Sequence, residues 1–345
     1  MNIECPLPID PEDKVHLGHG SGGTLSQNLL QECILPHFRN QWTERGHDSA
    51  VLPFGSNRLV FTTDSFVVTP LFFPGGNIGE LAVYGTVNDL AMSGARPLYL
   101  SCSLILEEGL PLGTLKLVMA AMGRAAEATG VQLVTGDTKV VERGKGDGLY
   151  INTSGIGMAE HDQKIGPDSI QPGDRIILSG DIGRHGMAVM ATREGLEFDS
   201  PLQSDCAALH RPVQAMMESG IAVHCLRDLT RGGLATALVE LARSSNKQLL
   251  IREPEISVCT PVQGACELLG LDPLYVANEG RFVVFVPPQV EAQALSILNS
   301  HEVSSQSRVI GHVTDTDKPE LILQNLLGCE RLLDFLPGEQ LPRIC

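Results

Sequence analysis

Positive charge is scarce in this sequence. Lys and Arg total 25 against 41 Asp and Glu, a formal net charge of −16 over 345 residues. Such a surface repels phosphate backbones and anionic lipid, so neither nucleic acid nor membrane is an expected partner. Long apolar runs are also missing. No stretch of 18 uncharged residues occurs, and no transmembrane helix is expected. The opening Met1-Asn2-Ile3-Glu4-Cys5 lacks a cationic region followed by an apolar run, so no signal peptide is expected. The nine cysteines include no C-x-x-C pair. They read as reduced thiols of a cytoplasmic protein, not as zinc ligands.

What is present is an ordinary globular composition, 43% hydrophobic and 19% charged, with length for about two domains. Strand-like and helix-like patterns alternate. Leu98 to Leu106 alternates strictly, putting Leu98, Leu100, Cys102, Leu104 and Leu106 on one face. Ile78 to Met92 has helical spacing. Leu115, Val118, Met119, Met122 and Ala126 follow a helical period, with Gly130 as its stop. Val131 to Val134 reads as a short strand, and Leu149 to Ile156 as another. The polar, turn-rich stretch His161 to Asp174 marks a domain boundary. The expected layout is a Gly-rich segment over 1–45, an α/β domain over 46–160, a second α/β domain over 161–333 and a tail over 334–345.

Three features point to chemistry. Gly18-His19-Gly20-Ser21-Gly22-Gly23-Thr24 precedes a helix-like run. Such a loop lets the backbone approach a ligand and turn its N–H groups toward an anion. No Lys follows the last Gly, so it is not a Walker A loop. Read alone, it is equally an N-terminal linker. Asp48, Asp64, Asp89 and Asp137 each follow or interrupt an apolar run. One Asp in such a place is commonly a turn or a cap. Four beside a Gly-rich loop suit Mg²⁺ and a polyphosphate. Asp89, on an otherwise apolar helix, is the most telling, because a buried charge is costly unless paired or metal-bound. Finally, the chain closes on Pro342-Arg343-Ile344-Cys345. Pro337, Gly338 and Pro342 oppose helix, so the last dozen residues are expected to be extended and mobile. They would carry a reactive thiol up to about 40 Å. The glycine turns in Gly180–Gly186 and Asp228-Leu229-Thr230-Arg231-Gly232-Gly233 read as helix starts or as lining of an interdomain cleft. Asn278-Glu279-Gly280-Arg281 reads, alone, as a capped turn.

Taken together, GHGSGG (18–23), HDSAV (47–51), TTDS (62–65), VNDLAMSGARP (87–97), TGDTKVV (135–141), RDLTRGG (227–233), NEGR (278–281) and PRIC (342–345) resemble the HypE family of hydrogenase-maturation carbamoyl dehydratases. That family lies within the superfamily of aminoimidazole ribonucleotide synthetase and selenophosphate synthetase. The resemblance implies a two-domain PurM-like α/β (α+β) ATP-binding fold, with the N-terminal domain forming a β-barrel across a homodimer. It implies ATP under the loop of Gly20, Ser21, Gly22 and Gly23, with Asn88 and Thr138 touching nucleotide. It implies Mg²⁺ on Asp48, Asp64, Asp89 and Asp137. Cys345 would carry a carbamoyl group received from a HypF-type carbamoyltransferase. Glu279 would act as base and Lys139 as its charged partner or as an activator of the oxygen. The product nitrile would pass to a HypC–HypD complex. Two rivals stand beside this reading. Selenophosphate synthetase would want a Cys or selenocysteine near the Gly-rich loop, where this chain has His19 and Ser21. A non-catalytic thiol carrier, using ATP only as a switch, would need fewer metal carboxylates.

Overall fold

A computed structural model describes residues 15, 17–20, 23–38, 40–45, 47–55, 57–195, 202–336 and 343–345. Ser21 and Gly22 lie outside the described residues. Near the N-terminus, short helices α1 (Thr24–Asn28) and α2 (Leu35–Phe38) flank a π-helical turn, Leu29–Ile34. This arm leans on the far end of the chain: Thr24 N donates to Leu336 O at 3.1 Å, and Gln27 Nε2 to Glu240 Oε1 at 2.7 Å.

The first domain is built on strands β1 (Ala50–Phe54), β2 (Asn57–Phe66), β5 (Arg96–Glu107), β6 (Gln132–Val141) and β7 (Leu149–Ala159), with a small hairpin of β3 (Phe72–Phe73) and β4 (Gly76–Asn77). The five long strands run in the order β1-β2-β7-β5-β6, antiparallel except for the parallel pair β5–β6. Helices α3 (Ile78–Met92) and α4 (Leu112–Thr129) cover one face, and α4 stops at Gly130 as the sequence predicts. The opposite face is bare, with Phe61, Tyr99 and Ile105 39%, 44% and 44% exposed. The barrel expected of this domain is not closed within one chain. β1 and β6 are free edges, and the side chains of β6 are exposed from Gln132 to Val140.

Helix α3 starts where Asn77 accepts hydrogen bonds from Gly79 N and Glu80 N and donates to Glu80 Oε2 at 2.8 Å, a reciprocal cap. It is mostly apolar because it is buried on nearly every side, Glu80, Tyr84 and Asp89 being only partly buried. Leu81, Val83 and Val87 pack in the first domain's core, while Ala91 and Met92 pack in a core of the second.

The second domain has a seven-stranded sheet in the order β14-β13-β10-β12-β8-β11-β9. Its strands are β8 (Arg175–Leu178), β9 (Cys225–Asp228), β10 (Leu249–Arg252), β11 (Phe282–Val286), β12 (Arg308–Val313), β13 (Leu321–Gln324) and β14 (Glu330–Leu333). Helices α5 (Arg184–Glu194), α6 (His210–Glu218), α7 (Gly233–Ser245), α8 (Thr260–Leu269) and α9 (Glu291–Asn299) surround it. α7 packs on one face of the sheet, and α6 and α9 on the other. Strand β11 is buried at all five residues, as its continuous apolar run requires.

The end of the chain departs from the expected mobile tail. Residues 343–345 lie docked on their own chain, paired with the segment that follows β2. Val67 N donates to Cys345 O at 3.1 Å and Thr69 N to Arg343 O at 3.3 Å. His185 Nε2 lies 2.8 Å from Ile344 O, and Arg193 Nη2 donates to Arg343 O at 2.8 Å. Ile344 is 3% exposed within the first domain's core. Arg343 also pairs with Asp147.

Candidate active site

Three acidic groups from both domains converge. Asp48 lies just before β1, Asp89 lies near the end of α3, and Asp228 ends β9. One ligand atom from each lies within 4.8 Å of the others. Alternation along β2 brings Thr62 and Asp64 to the same face, toward α3. Thr62 Oγ1 sits 2.7 Å from Asp89 Oδ2 and 3.0 Å from Asp48 O, with one proton to share between them. Arg227 pairs with Asp48, and with Glu240 Oε2 at 2.8 Å.

The electrostatics of the cluster are strained. Burial pushes the Asp89 carboxyl well above its usual range, and the charges of Asp228, Asp64 and Asp48 push it further. Burial likewise raises Asp48 well above its usual range, against the pull of Arg227. Burial raises Asp228 to about 6, and it raises Asp64 despite Arg231 and the Ser65 N–H. Asp48 Oδ2 is buried with no hydrogen-bond partner. Crowded hard oxygens with an unfilled lone pair are the donor set a divalent Mg²⁺ or Ca²⁺ takes. The residues present therefore fit a magnesium ion, with Asp48, Asp89 and Asp228 as its carboxylates.

Glu279 and Cys345 adjoin this cluster. Glu279 is 3% exposed, and its Oε1 is buried without a partner. Its turn is rigidly held: Asp205 Oδ2 accepts from Glu279 N at 3.3 Å and Gly280 N at 3.0 Å. A Cβ on Gly280 would fall 1.9 Å from Asp205 O, so only glycine permits this approach. Burial raises the Glu279 carboxyl well above its usual range, with further push from Asp228, Asp64 and Asp205. Burial pushes the Cys345 thiol up as well, and the neighbouring Glu279 adds to the rise. Arg231 adjoins this group: Cys345, Asp64, Glu279 and Asp89 raise its pKa against its burial.

Other residues marked in the sequence lie elsewhere. Asp137, Thr138 and Lys139 are on the exposed edge strand β6. Asp137 is in register with Ser103, which is in register with Asn152, which is in register with Ser65. It is thus three strands away from β2, about 14 Å, and alternation puts it on the opposite face from Asp64. Lys139 Nζ pairs with Asp137 Oδ2 at 2.5 Å, and that partner holds the Asp137 carboxyl below its usual range. Within one chain, neither Asp137 joins the acidic cluster nor Lys139 joins Glu279. Arg231 takes that place. Asn88 is 2% exposed, donating to Ala207 O at 3.0 Å and accepting from Leu209 N at 2.8 Å. Its amide ties the two domains together and is closed to a ligand. Gly23 caps α1, and Gly20 O accepts a long 3.5 Å hydrogen bond from Arg231 Nη1. The residues not foreseen are Asp228 and Arg231. Their motif is visible in the sequence, as a helix start or as the lining of an interdomain cleft, but neither residue stands out in it for a role, and Asp228 ends a strand.

Comparison with known proteins follows this geometry. The AIR synthase related protein N-terminal domain matches residues 46–159, and the AIR synthase related protein C-terminal domain matches 171–324. The fold is therefore that of the AIR synthase related proteins, with a two-domain site between its α/β layers. Carbamoyl dehydratase HypE of Cupriavidus necator is 47% identical, over 100% of this chain and 98% of that protein. A crystal structure of a HypE–HypF complex matches with a TM-score of 0.85 at 43% identity, covering 89% of this chain and 99% of that one. HypE in complex with ATP matches with a TM-score of 0.81 at 44% identity, covering 95% and 98%. The chain belongs to the HypE family of carbamoyl dehydratases.

Proposed function

We propose that this protein dehydrates an S-carbamoyl group on Cys345 to a thiocyanate, using ATP, and so supplies the cyanide ligand of a [NiFe]-hydrogenase iron centre. The observation that carries the reading is the docked position of Cys345, next to Glu279 and beside an acidic cluster drawn from both domains.

The chemical problem is a poor leaving group. The oxygen of S–C(=O)–NH₂ does not depart as hydroxide. ATP phosphorylates that oxygen, giving ADP, a proton and S–C(=NH)–OPO₃²⁻. Loss of the remaining N–H proton and cleavage of the C–O bond then yield S–C≡N and inorganic phosphate. Glu279 takes the proton from nitrogen and passes it to the departing phosphate. Its raised pKa suits that duty, since a base is most effective near the working pH. Magnesium, when bound by Asp48, Asp89 and Asp228, supplies neutralising charge for the nucleotide's phosphates. Asp64, next to that trio, lies near Arg231, and Gly20 and Gly23 border the nucleotide. Docking of residues 343–345 excludes water and holds the sulfur still while these steps occur.

The same reading assigns partners. A HypF-type carbamoyltransferase loads the thiol, a HypC–HypD complex receives the nitrile, and the reaction takes place in the cytoplasm. A homodimer forms when the bare sheet faces, with Phe61, Tyr99 and Ile105, meet across a two-fold axis and close a barrel. The partner's β6 then brings Asp137, Thr138 and Lys139 to the nucleotide.

The test is mass spectrometry of the C-terminal peptide. Protein carbamoylated on Cys345 with cyanate is given Mg-ATP. The peptide is expected to lose the mass of one water while an equal amount of ADP appears. Retention of the full carbamoyl mass with ATP consumed would overturn the reading, as would water loss from another site in Cys345→Ala.

A further inference from the structure

We infer that Arg231 is a catalytic residue of this site, donating to the oxygens of the phosphoryl group as it moves from nucleotide to the carbamoyl oxygen. This rests on the function proposed above.

The first argument is that its donors are free. Among the described residues Arg231 makes no ion pair within 4.0 Å, and its one hydrogen bond is the 3.5 Å contact with Gly20 O. Other arginines around the cleft are committed. Arg227 is held by Asp48 and Glu240, Arg281 by Asp181, and Arg343 by Asp147. A guanidinium offers five donors in a planar fork that matches phosphate oxygens. Arg231 presents that fork unfilled, on an exposed side chain.

The second argument is placement. Arg231 lies near enough to Cys345, Asp64, Asp89 and Glu279 to feel the charge of each, and the turn that carries it follows directly on Asp228 of the acidic cluster. It is thus the cation set among the nucleophile's carrier, the base and two of the carboxylates. A phosphoryl group moving to an oxygen on that sulfur's substituent must pass in front of it. Three negative oxygens entering a pocket of carboxylates need such a partner.

The third argument is that the turn behind it is built for rigidity. Gly232 and Gly233 both have left-handed φ, 78° and 62°. A Cβ on Gly232 would lie 2.3 Å from Thr236 Oγ1, and one on Gly233 2.6 Å from Val276 O. Gly233 N donates to Thr230 O at 3.0 Å and Thr236 N to Gly232 O at 3.2 Å. An exposed arginine on so constrained a turn is aimed before any ligand arrives.

The test uses full-length protein with Arg231→Gln and Arg231→Lys, and ADP with aluminium fluoride as a mimic of the transferring phosphoryl group. Arg231→Gln is expected to weaken binding of the ADP–aluminium fluoride complex about 100-fold or more while ADP alone binds within threefold of wild type. Single-turnover ADP release from cyanate-loaded protein is expected to slow by about 10²–10³-fold. Arg231→Lys keeps the charge but not the fork and recovers only part of the rate, and added methylguanidine restores a measurable part of the loss in Arg231→Gln. Equal loss of ADP and ADP–aluminium fluoride binding would overturn the proposal, as would a turnover within threefold of wild type. The analogue binding separates the two readings. If wild type fails to dehydrate its loaded thiol but Arg231→Gln still loses the analogue, the carbamoyl chemistry fails and the role of Arg231 stands.

Discussion

Two regions carry the family's charged motifs, and they could hardly differ more in environment. The inner cluster of Asp48, Asp89, Asp228 and Glu279 is closed in by both domains, and burial raises every one of its carboxyls. The outer set on β6, Asp137 and Lys139, forms a solvent-exposed ion pair, 60% and 69% exposed. The inner groups repel one another and ask for a cation. The outer groups already neutralise one another and gain little from it, as exposed pairs generally do. The difference teaches that a motif's chemistry depends on what folds against it. One set is closed in by its own chain, and the other lies on a free edge.

The largest expected effect would break that division. If β6 serves a neighbour's site, Glu279→Gln and Asp137→Asn homodimers are each inactive, with Glu279→Gln losing about 10²–10⁴-fold in dehydration rate. Mixing and refolding the two variants then restores about a quarter of wild-type sites by random pairing. No recovery in proven mixed dimers would put both sets in one chain's site.

A smaller effect sharpens the contrast in charge. Asp89→Asn relieves repulsion among buried carboxylates while keeping an acceptor for Thr62. In metal-free protein at pH 8 it is expected to raise Tm by about 2–4 °C. In wild type these carboxylates have folded pKa values above their unfolded ones. Their contribution to stability is therefore full at low pH and is lost as pH rises through the folded values, about 6 for Asp228. Magnesium should raise Tm of wild type at pH 8 and leave Asp89→Asn nearly unmoved. Asp137→Asn, in the outer set, should change Tm little; equal shifts in both variants would erase the distinction.

The smallest effect concerns the docked end. Arg343 and Asp147 are 46% and 32% exposed, so their pairing is worth about 0.2–1 kcal/mol. Asp147→Ala should speed alkylation of Cys345 by a maleimide roughly two- to fivefold, and salt should do the same to wild type. No change would mean that the backbone contacts alone hold this segment.

Much of the fold was readable because its strongest patterns are deeply buried. Helix α3 occupies Ile78–Met92, the stretch with helical spacing, and β11 occupies the run of apolar residues at Phe282–Val286. The failures share a cause. β6 reads as four residues but runs for ten, because a strand awaiting cover shows no alternation of polar and apolar. β9 is hidden because Cys-Leu-Arg-Asp has no strand pattern of its own; its pairing with β11 makes it a strand. The same blindness to neighbours grouped Asp137 with carboxylates it does not meet within one chain, and left the motif of Asp228 and Arg231 between a helix start and the lining of a cleft. Residue types were legible in the sequence. Which face each would turn to was not.

The grip on residues 343–345 works as a ruler. Val67 and Thr69 hold carbonyls two residues apart, so the segment can shift only in whole residue steps of about 3.4 Å. One inserted residue before Cys345 would turn the sulfur to the opposite side of the ribbon. Two would restore its side but carry it about 7 Å past Glu279. The distance from Arg343 to the thiol is therefore a dimension of the catalyst, set by the backbone itself.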